Sequence, residues 1–260
     1  MKAKPYQTTK ALTQITHEDK ESIRINKYLS DASFCSRRDA DKYVEEKRVT
    51  INDLTVEIGT KVFPNDVVKV DGKIVKRVIK KAYIALNKPI GIVCTNDLNV
   101  KNNIRSYVDY KELIYPIGRL DKDSEGLILL TNDGDIVNKI LRAEHGHEKE
   151  YLVTVNKLVT QEFIKLMSEG VIIYNQVAHK NQKTAPCVVT KHGEFEFKII
   201  LKQGLNRQIR RMCEAIGYHV QKLIRLRIMH IKLSDLPVGY WRYLTEQELI
   251  ELNHVISLKK

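Results

Sequence analysis

The sequence predicts an α+β protein in two parts, a small unit of two helices and short strands over residues 23–72 and a larger mixed-sheet domain over 82–252. Three observations carry this. Helical spacing of apolar residues between 24 and 45 gives way to short β-type runs between 49 and 70. Two apolar runs, 113–120 and 127–130, have the length and β-rich composition of buried strands. Alternation of apolar and polar residues at 150–155 and 194–201 marks strands with one buried face.

In order along the chain, residues 1–22 are polar and lack a period, which predicts a mobile or weakly docked tail. Ile25, Leu29 and Ala32 share one helical face. Ser36 with Asp39 three residues on resembles a capping box opening a second helix, with Ala40 and Val44 inward and Arg37, Arg38 and Lys42 near its start. Strands follow at 49–51, 56–58 and 67–70, separated by Asn52-Asp53, Gly59, Pro64-Asn65-Asp66 and Asp71-Gly72. Lys73, Lys76, Arg77, Lys80 and Lys81 then make 73–81 a basic linker.

The second domain opens with a strand at 83–86 and a turn at Asn87-Lys88-Pro89-Ile90-Gly91. The polar stretch 97–109 reads as a mobile loop. After the run at 127–130, Asp133-Gly134 is turn chemistry and Asp135 is placed to cap a helix through Arg142. A loop at 145–150, a strand with Tyr151 on its inward face, a helix carrying Phe163 and Met167, and an irregular polar stretch at 174–183 come next. The last informative unit is a strand at 194–201, a turn at Gln203-Gly204-Leu205, and a helix capped by Asn206 whose first turns hold Arg207, Arg210 and Arg211.

Composition bounds the function. A chain of 260 residues with 43% apolar and 29% charged residues is ordinary for a globular protein. Its net charge of +12 favours a polyanionic partner, with nucleic acid the first candidate. Between residues 198 and 232 nine Lys or Arg stand against one acid, Glu214, which predicts a phosphate-tracking surface. No window approaches the roughly 18 apolar residues of a membrane span and the N-terminus lacks a signal-peptide core. A cytoplasmic protein without a membrane partner is expected. Cys35, Cys94, Cys187 and Cys213 have neither metal-site nor disulfide spacing and read as buried thiols, and His145 and His147 as loop histidines, so no metal is expected.

The stretch Gly118-Arg119-Leu120-Asp121-Lys122-Asp123-Ser124-Glu125-Gly126 places one carboxylate, Asp121, where the chain leaves one buried strand for the next. If the first strand reaches that far, Arg119 shares its face and keeps it ionised. Asp123 and Glu125 read as solvated loop acids. The full string through Gly134, G-R-L-D-x-x-x-x-G-L-x-L-L-T-N-D-G, resembles the central motif of pseudouridine synthases of the bacterial small-subunit and large-subunit ribosomal RNA (Rsu) family. N-K-P-x-G at 87–91, K-x-Y-x-V at 149–153, and N-R-Q-I-R-R-M at 206–212 followed by V-x-x-L-x-R at 220–225 are similar to its other motifs. H-E-K-E-Y-L-V-T-V at 147–155 and G-L-N-R-Q-I-R-R-M at 204–212 resemble the branch named large-subunit ribosomal RNA pseudouridine synthase F. Residues 25–40 and 49–52 resemble an S4-type RNA-binding domain.

The resemblance implies a mixed-sheet catalytic domain that isomerises uridine to pseudouridine in ribosomal RNA, and in transfer RNA, without a cofactor, the chain acting as a monomer. It implies Asp121 as the catalytic carboxylate, Tyr151 as the ring that stacks on the target base, Arg210 as the partner of Asp121, and Leu223 as an apolar contact. Arg119, Leu120, Lys122, Gly204, Leu205, Asn206 and Arg207 would bind substrate, and Arg37, Arg38 and Lys42 would rest on phosphates. Where the family carries an acid, this chain has Gln203. Two other classes compete on the residues alone: a non-catalytic RNA-binding protein, and a glycoside hydrolase pairing Asp121 with Asp123 or Glu125, which would need two carboxylates at fixed separation.

Overall fold

A strand buried on both faces reads as an unbroken apolar run, and the molecule is built outward from the one at 127–130. Leu127 and Leu129 face one core cluster, and Ile128 and Leu130 the other. All four are at most 1% exposed. The structure is a computed structural model that describes residues 1–6, 22–77, 81–141, 146–175 and 178–257.

The first unit holds β2 (Ile23–Arg24), α1 (Ile25–Asp31), α2 (Arg37–Glu45), β3 (Val49–Ile51), β4 (Leu54–Thr55), β5 (Lys61–Val62), β6 (Val68–Val70) and β7 (Lys73–Ile74). It follows β1 (Lys4–Pro5). Ser36 caps α2 as its spacing predicts, accepting from the Asp39 N–H at 3.2 Å. Ile25, Leu29, Ala40 and Val44 pack on Val49, Val68 and Val70. The sheet continues beyond residue 72, because β7 pairs with β6 and Val75 is buried, so residues 73–75 belong to this unit rather than to a linker. Lys80 lies outside the described residues.

The second unit runs β8 (Tyr83–Lys88), α3 (Ile104–Val108), β9 (Tyr115–Ile117), β10 (Glu125–Thr131), α4 (Gly134–Leu141), β11 (Lys149–Val155), α5 (Gln161–Glu169), β12 (Ile172–Asn175), β13 (Lys180–Lys183), β14 (Val188–Lys191), β15 (Glu196–Leu201), α6 (Gln208–Ala215), β16 (Val220–Ile228), β17 (Ile231–Lys232), β18 (Tyr240–Tyr243) and α7 (Glu246–Ser257). The large sheet has the order β1-β18-β8-β10-β16-β11-β15-β14, with β9 added on β10 and β17 on β16. It is mixed: β10 and β16 are parallel, as are β1 and β18, and the other pairs are antiparallel. Helices α4 and α7 bury Ile136, Ile140, Leu249 and Leu252 in one cluster. Helices α5 and α6 bury Phe163, Met167, Ile209, Met212 and Cys213 in another, around β11 and β15. Each such side chain contributes about 1.5–3 kcal/mol of burial.

Several expectations change. The supposed N-terminal tail is docked at its start: Ala3 and Tyr6 donate backbone hydrogen bonds to Tyr107 and Trp241 oxygens at 2.7 Å, and β1 forms the sheet edge, where Pro5 lacks a donor without loss. Residues 7–21 of that stretch lie outside the described residues, as do Arg142 and His145. The loop expected at 97–109 contains α3, capped by Asn103 through the Ser106 N–H, with Ile104 and Val108 buried one helical turn apart. Of the stretch 174–183, Tyr174 and Asn175 lie in β12 and 180–183 in its antiparallel partner β13, whose mostly exposed faces left no alternating pattern to read, and residues 176 and 177 lie outside the described residues. Asp135 does not cap α4. Asp133, 1% exposed, accepts from the Asp135 N–H at 3.3 Å and from the Tyr83 hydroxyl at 2.6 Å. Of the four free cysteines only Cys213 is buried; Cys35, Cys94 and Cys187 are half-buried at element edges.

Candidate active site

The chain from Arg119 to Asp123 crosses between β9 and β10 with every backbone carbonyl held. Arg119 O accepts from Arg225 Nη1 at 3.1 Å, and Leu120 O from Cys94 Sγ at 3.2 Å. Asp121 O accepts from the Ser124 N–H at 3.1 Å, Lys122 O from the Gly91 N–H at 2.7 Å, and Asp123 O from Arg210 Nη2 at 2.8 Å. Four of the five donors come from elsewhere, from β16, the loop before α3, the turn after β8, and α6, and the fifth, Ser124, closes the segment on itself. A carboxylate carried on such a segment is oriented before substrate arrives, which is where enzymes gain most from fixed geometry.

Asp121 is half-buried and opens onto a cleft of about 1000 Å³. The same cleft is lined by Tyr151 on β11, Leu223 and Arg225 on β16, Arg210 on α6, and Arg119, Leu120, Lys122, Gly204, Leu205, Asn206 and Arg207. Every catalytic-domain residue expected from the sequence therefore meets at one place. Register explains part of it, since Tyr151 pairs with Arg225, and Val153 with Leu223, across β11 and β16. Arg37 and Arg38 at the start of α2 and Lys42 in its last turn do not line this cleft; all three are exposed.

The charge pairing differs from expectation. Arg119 is exposed and does not pair with Asp121, because β9 ends at Ile117 and Gly118 turns the chain at φ +80°, breaking the alternation on which that pairing depended. Arg210 does not pair with it either. It is 8% exposed and donates to Val220 O, Asp123 O and Ser124 Oγ, with Nε 3.4 Å from the Asp123 carboxylate. The cation nearest Asp121 is Arg207, whose Nη1 lies 3.9 Å from Oδ2. Both Arg207 Nη atoms bind Asp123 at 2.9 Å. Asp123 is exposed in its loop as expected, but it is ion-paired rather than free; chiefly through its bonds to Arg207, its carboxyl is held below the usual range. Glu125 pairs with Lys222 at 3.0 Å. Both neighbouring acids are engaged by cations, which does not favour either as the protonated acid partner that a glycosidase needs.

The helix cap also differs. Arg207, in the left-handed region at φ 49°, precedes α6 in place of Asn206, which accepts instead from Arg211 at 2.8 Å. Gln203, where an acid was expected, accepts from Ala185 N–H at 3.1 Å and Gln208 Nε2 at 3.2 Å, joining the strand-to-helix turn to the loop before β14. Much of the basic excess at 198–232 is already engaged within the chain: Arg207 and Lys222 are exposed but ion-paired, Arg227 is ion-paired, and Arg210 and Arg225 are buried.

Three residues near the carboxylate escaped the sequence reading. Lys88, fully buried, donates to Pro89 O and Ile92 O at 3.0 Å and shapes the turn that supplies the Gly91 N–H; burial pulls its pKa down to about 8. Lys149 is lowered by burial and then by Arg225. Arg225 is 3% exposed. Their signal was present, since each belongs to a stretch singled out for another residue, but a buried cation cannot be told from a solvated one without the fold.

Comparisons with known proteins bear on the family. Residues 82–215 match the family described as RNA pseudouridylate synthase, and residues 23–68 match the S4 domain. The chain is 53% identical over 238 residues, 91% of its length and 80% of the relative's, to the dual-specificity RNA pseudouridine synthase RluF of Escherichia coli (strain K12). It is 33% identical to ribosomal large subunit pseudouridine synthase B of Bacillus subtilis (strain 168), covering 88% of this chain and 95% of that one. A crystal structure of a pseudouridylate synthase superposes with a TM-score of 0.63 at 28% identity, over 88% of this chain and 99% of that one. With a mixed-sheet domain, a preceding S4 domain and one presented carboxylate, the chain belongs to the RNA pseudouridylate synthase family, and its reaction is the isomerisation of uridine to pseudouridine in RNA.

Proposed function

We propose that the chain modifies large-subunit ribosomal RNA, with transfer RNA as a second substrate, and that Asp121 is its essential carboxylate. The observation that carries this is the carbonyl-pinned segment, which delivers Asp121 into a cleft shared with Tyr151 and Leu223. The RNA assignment is supported by the names of the relatives, one called dual-specificity and one a large-subunit enzyme.

The isomerisation conserves atoms, so it requires no second substrate and no redox or group-carrying cofactor. The base leaves C1′, rotates and rejoins through C5. Asp121, unprotonated, serves as nucleophile at sugar or base, or as the base that removes a sugar proton; each route needs the same charge. Reaching it costs the target base its stack, a few kcal/mol, which the Tyr151 ring offsets while Leu223 contacts the base. Arg210 holds the Asp121 segment by its backbone. Arg119, Leu120, Lys122, Gly204, Leu205, Asn206 and Arg207 contact the flanking nucleotides, and Arg37, Arg38 and Lys42 rest on phosphates further along. The protein works as a monomer in the cytoplasm.

Asp121→Asn tests this, because it keeps shape and removes charge. The variant is expected to fold, bind RNA as the parent does, and form no pseudouridine by base-composition analysis; substantial product would refute the assignment. Mapping pseudouridine in ribosomal and transfer RNA from cells with and without the protein identifies the substrates.

A further inference from the structure

We propose that Arg225 is a positioning residue of the isomerisation: its guanidinium ties both ends of the Asp121 loop to the strand that carries Leu223 and borders Tyr151, holding the carboxylate in register with the stacking ring. This rests on the assignment of Asp121 made above.

The geometry has three parts. First, Arg225 Nη1 donates to Arg119 O, where the loop begins, and Nε donates to Leu127 O at 2.6 Å, where the loop has become β10. One planar group spans the whole turn, and its fixed fork sets the distance between the two ends. Second, the backbone of Arg225 is itself wedged at the junction of β10 and β11, paired with Gly126 on one side and Tyr151 on the other. The fit to Gly126 is so close that a Cβ there would lie 2.5 Å from Arg225 O, and Gly126 adopts φ +107°. The same residue therefore fixes the loop by its side chain and the tyrosine by its main chain. Third, Arg225 is 3% exposed and, among the described residues, has no carboxylate within ion-pair distance, while its Nη2 has no hydrogen-bond partner. A buried guanidinium lacking an acid and one of its bonds is a poor stabiliser of a fold. What the rigid fork does provide is a fixed offset between the loop and the strand.

Arg225→Met removes the fork and keeps much of the apolar stem. The expected result is RNA affinity close to parental, with the single-turnover rate lowered on the order of 100-fold, the cost of an ångström-scale misplacement of a reacting group. Arg225→Lys keeps charge and one bond and is expected to recover part of the rate. Leu252→Ala, on the buried side of α7 and outside the lining of the cleft, is the stability control. All are assayed well below their melting temperatures, with Asp121→Asn alongside. A parental rate in Arg225→Met would overturn the proposal, as would an equal rate loss in Leu252→Ala at matched melting temperature. If Arg225→Met does not fold, Arg225→Lys is judged by the same two criteria; failure of both to fold would make Arg225 a residue of the fold alone and end the proposal. Product from Asp121→Asn would instead locate the failure in the carboxylate assignment.

Discussion

Asp121, Asp123 and Arg207 show how far a motif goes at the scale of single residues. The motif named the carboxylate, and the structure places it in the cleft. Its ionic surroundings were not legible, because Arg207 reaches Asp123 across 84 positions and α6 was expected to bring Arg210 to Asp121 instead. Arg207 Nη1 sits 2.9 Å from Asp123 and 3.9 Å from Asp121, so on the proposed assignment of Asp121 we infer that Asp123 keeps the arginine from closing on that carboxylate. In Asp123→Asn the arginine is expected to move the remaining ångström onto Asp121. A new charge-assisted bond of about 1.5 kcal/mol in the ground state lowers turnover about tenfold, with RNA bound as tightly as before. The double variant Asp123→Asn with Arg207→Ala should recover rate relative to the single. Single-turnover kinetics check this; a parental rate in Asp123→Asn would show that Arg207 does not compete for Asp121.

Secondary structure was most legible where burial is two-sided or cleanly one-sided. The apolar run at 127–130 and the alternation at 196–201 appear as β10 and β15 because the pattern that buries them also identifies them. Helix α3 and the β12–β13 hairpin were missed, one for its polar surroundings and one for its exposed faces. Helix α7 adds a case in which local chemistry matters more than pattern. Thr245 and Glu248 form a reciprocal capping box, Thr245 N–H donating to Glu248 Oε2 at 2.8 Å and Glu248 N–H to Thr245 Oγ1 at 3.2 Å, and Arg242 binds both carboxylate oxygens at 2.7 and 2.8 Å. Burial alone would push the Glu248 carboxyl up, but the bonds to Arg242 and Thr245 outweigh it and hold it below 4.5. The unfolded chain therefore binds this proton more readily, so the contribution is fully present above 4.5 and is lost as pH falls through the lower folded value. Glu248→Gln is expected to cost about 1–3 kcal/mol at neutral pH and to flatten the acid limb of the melting curve. Thermal unfolding as a function of pH would contradict this if the two proteins lost stability in parallel below 4.5.

For the whole molecule, the question is how the S4 domain bears on the catalytic cleft. Its presence was legible from two helices and three short β segments, but its placement was not, because the residues that join it to the sheet domain look like ordinary surface polar groups. Lys27 on α1 lies 2.6 Å from Asp31 and 3.1 Å from Asp135 on α4, and Ser30 Oγ meets the Tyr115 hydroxyl on β9 at 2.9 Å. Asp31 and Lys27 side chains are only 5% and 14% exposed, so this is a partly desolvated junction rather than a surface pair. It converts the S4 domain from a module on a tether into one held at a fixed offset from Asp121. A fixed offset favours long RNA in which the target uridine and the S4 contact stand at the matching separation, and it does nothing for a fragment too short to reach both. Lys27→Met, with Arg77 still 3.5 Å from Asp31 to offset its charge, is therefore expected to leave turnover on a short hairpin unchanged and to lower it about tenfold on full-length structured RNA. Equal effects on the two RNAs would mean that the junction serves folding alone. A fall confined to the long RNA would show that the geometry between the domains takes part in selecting the uridine.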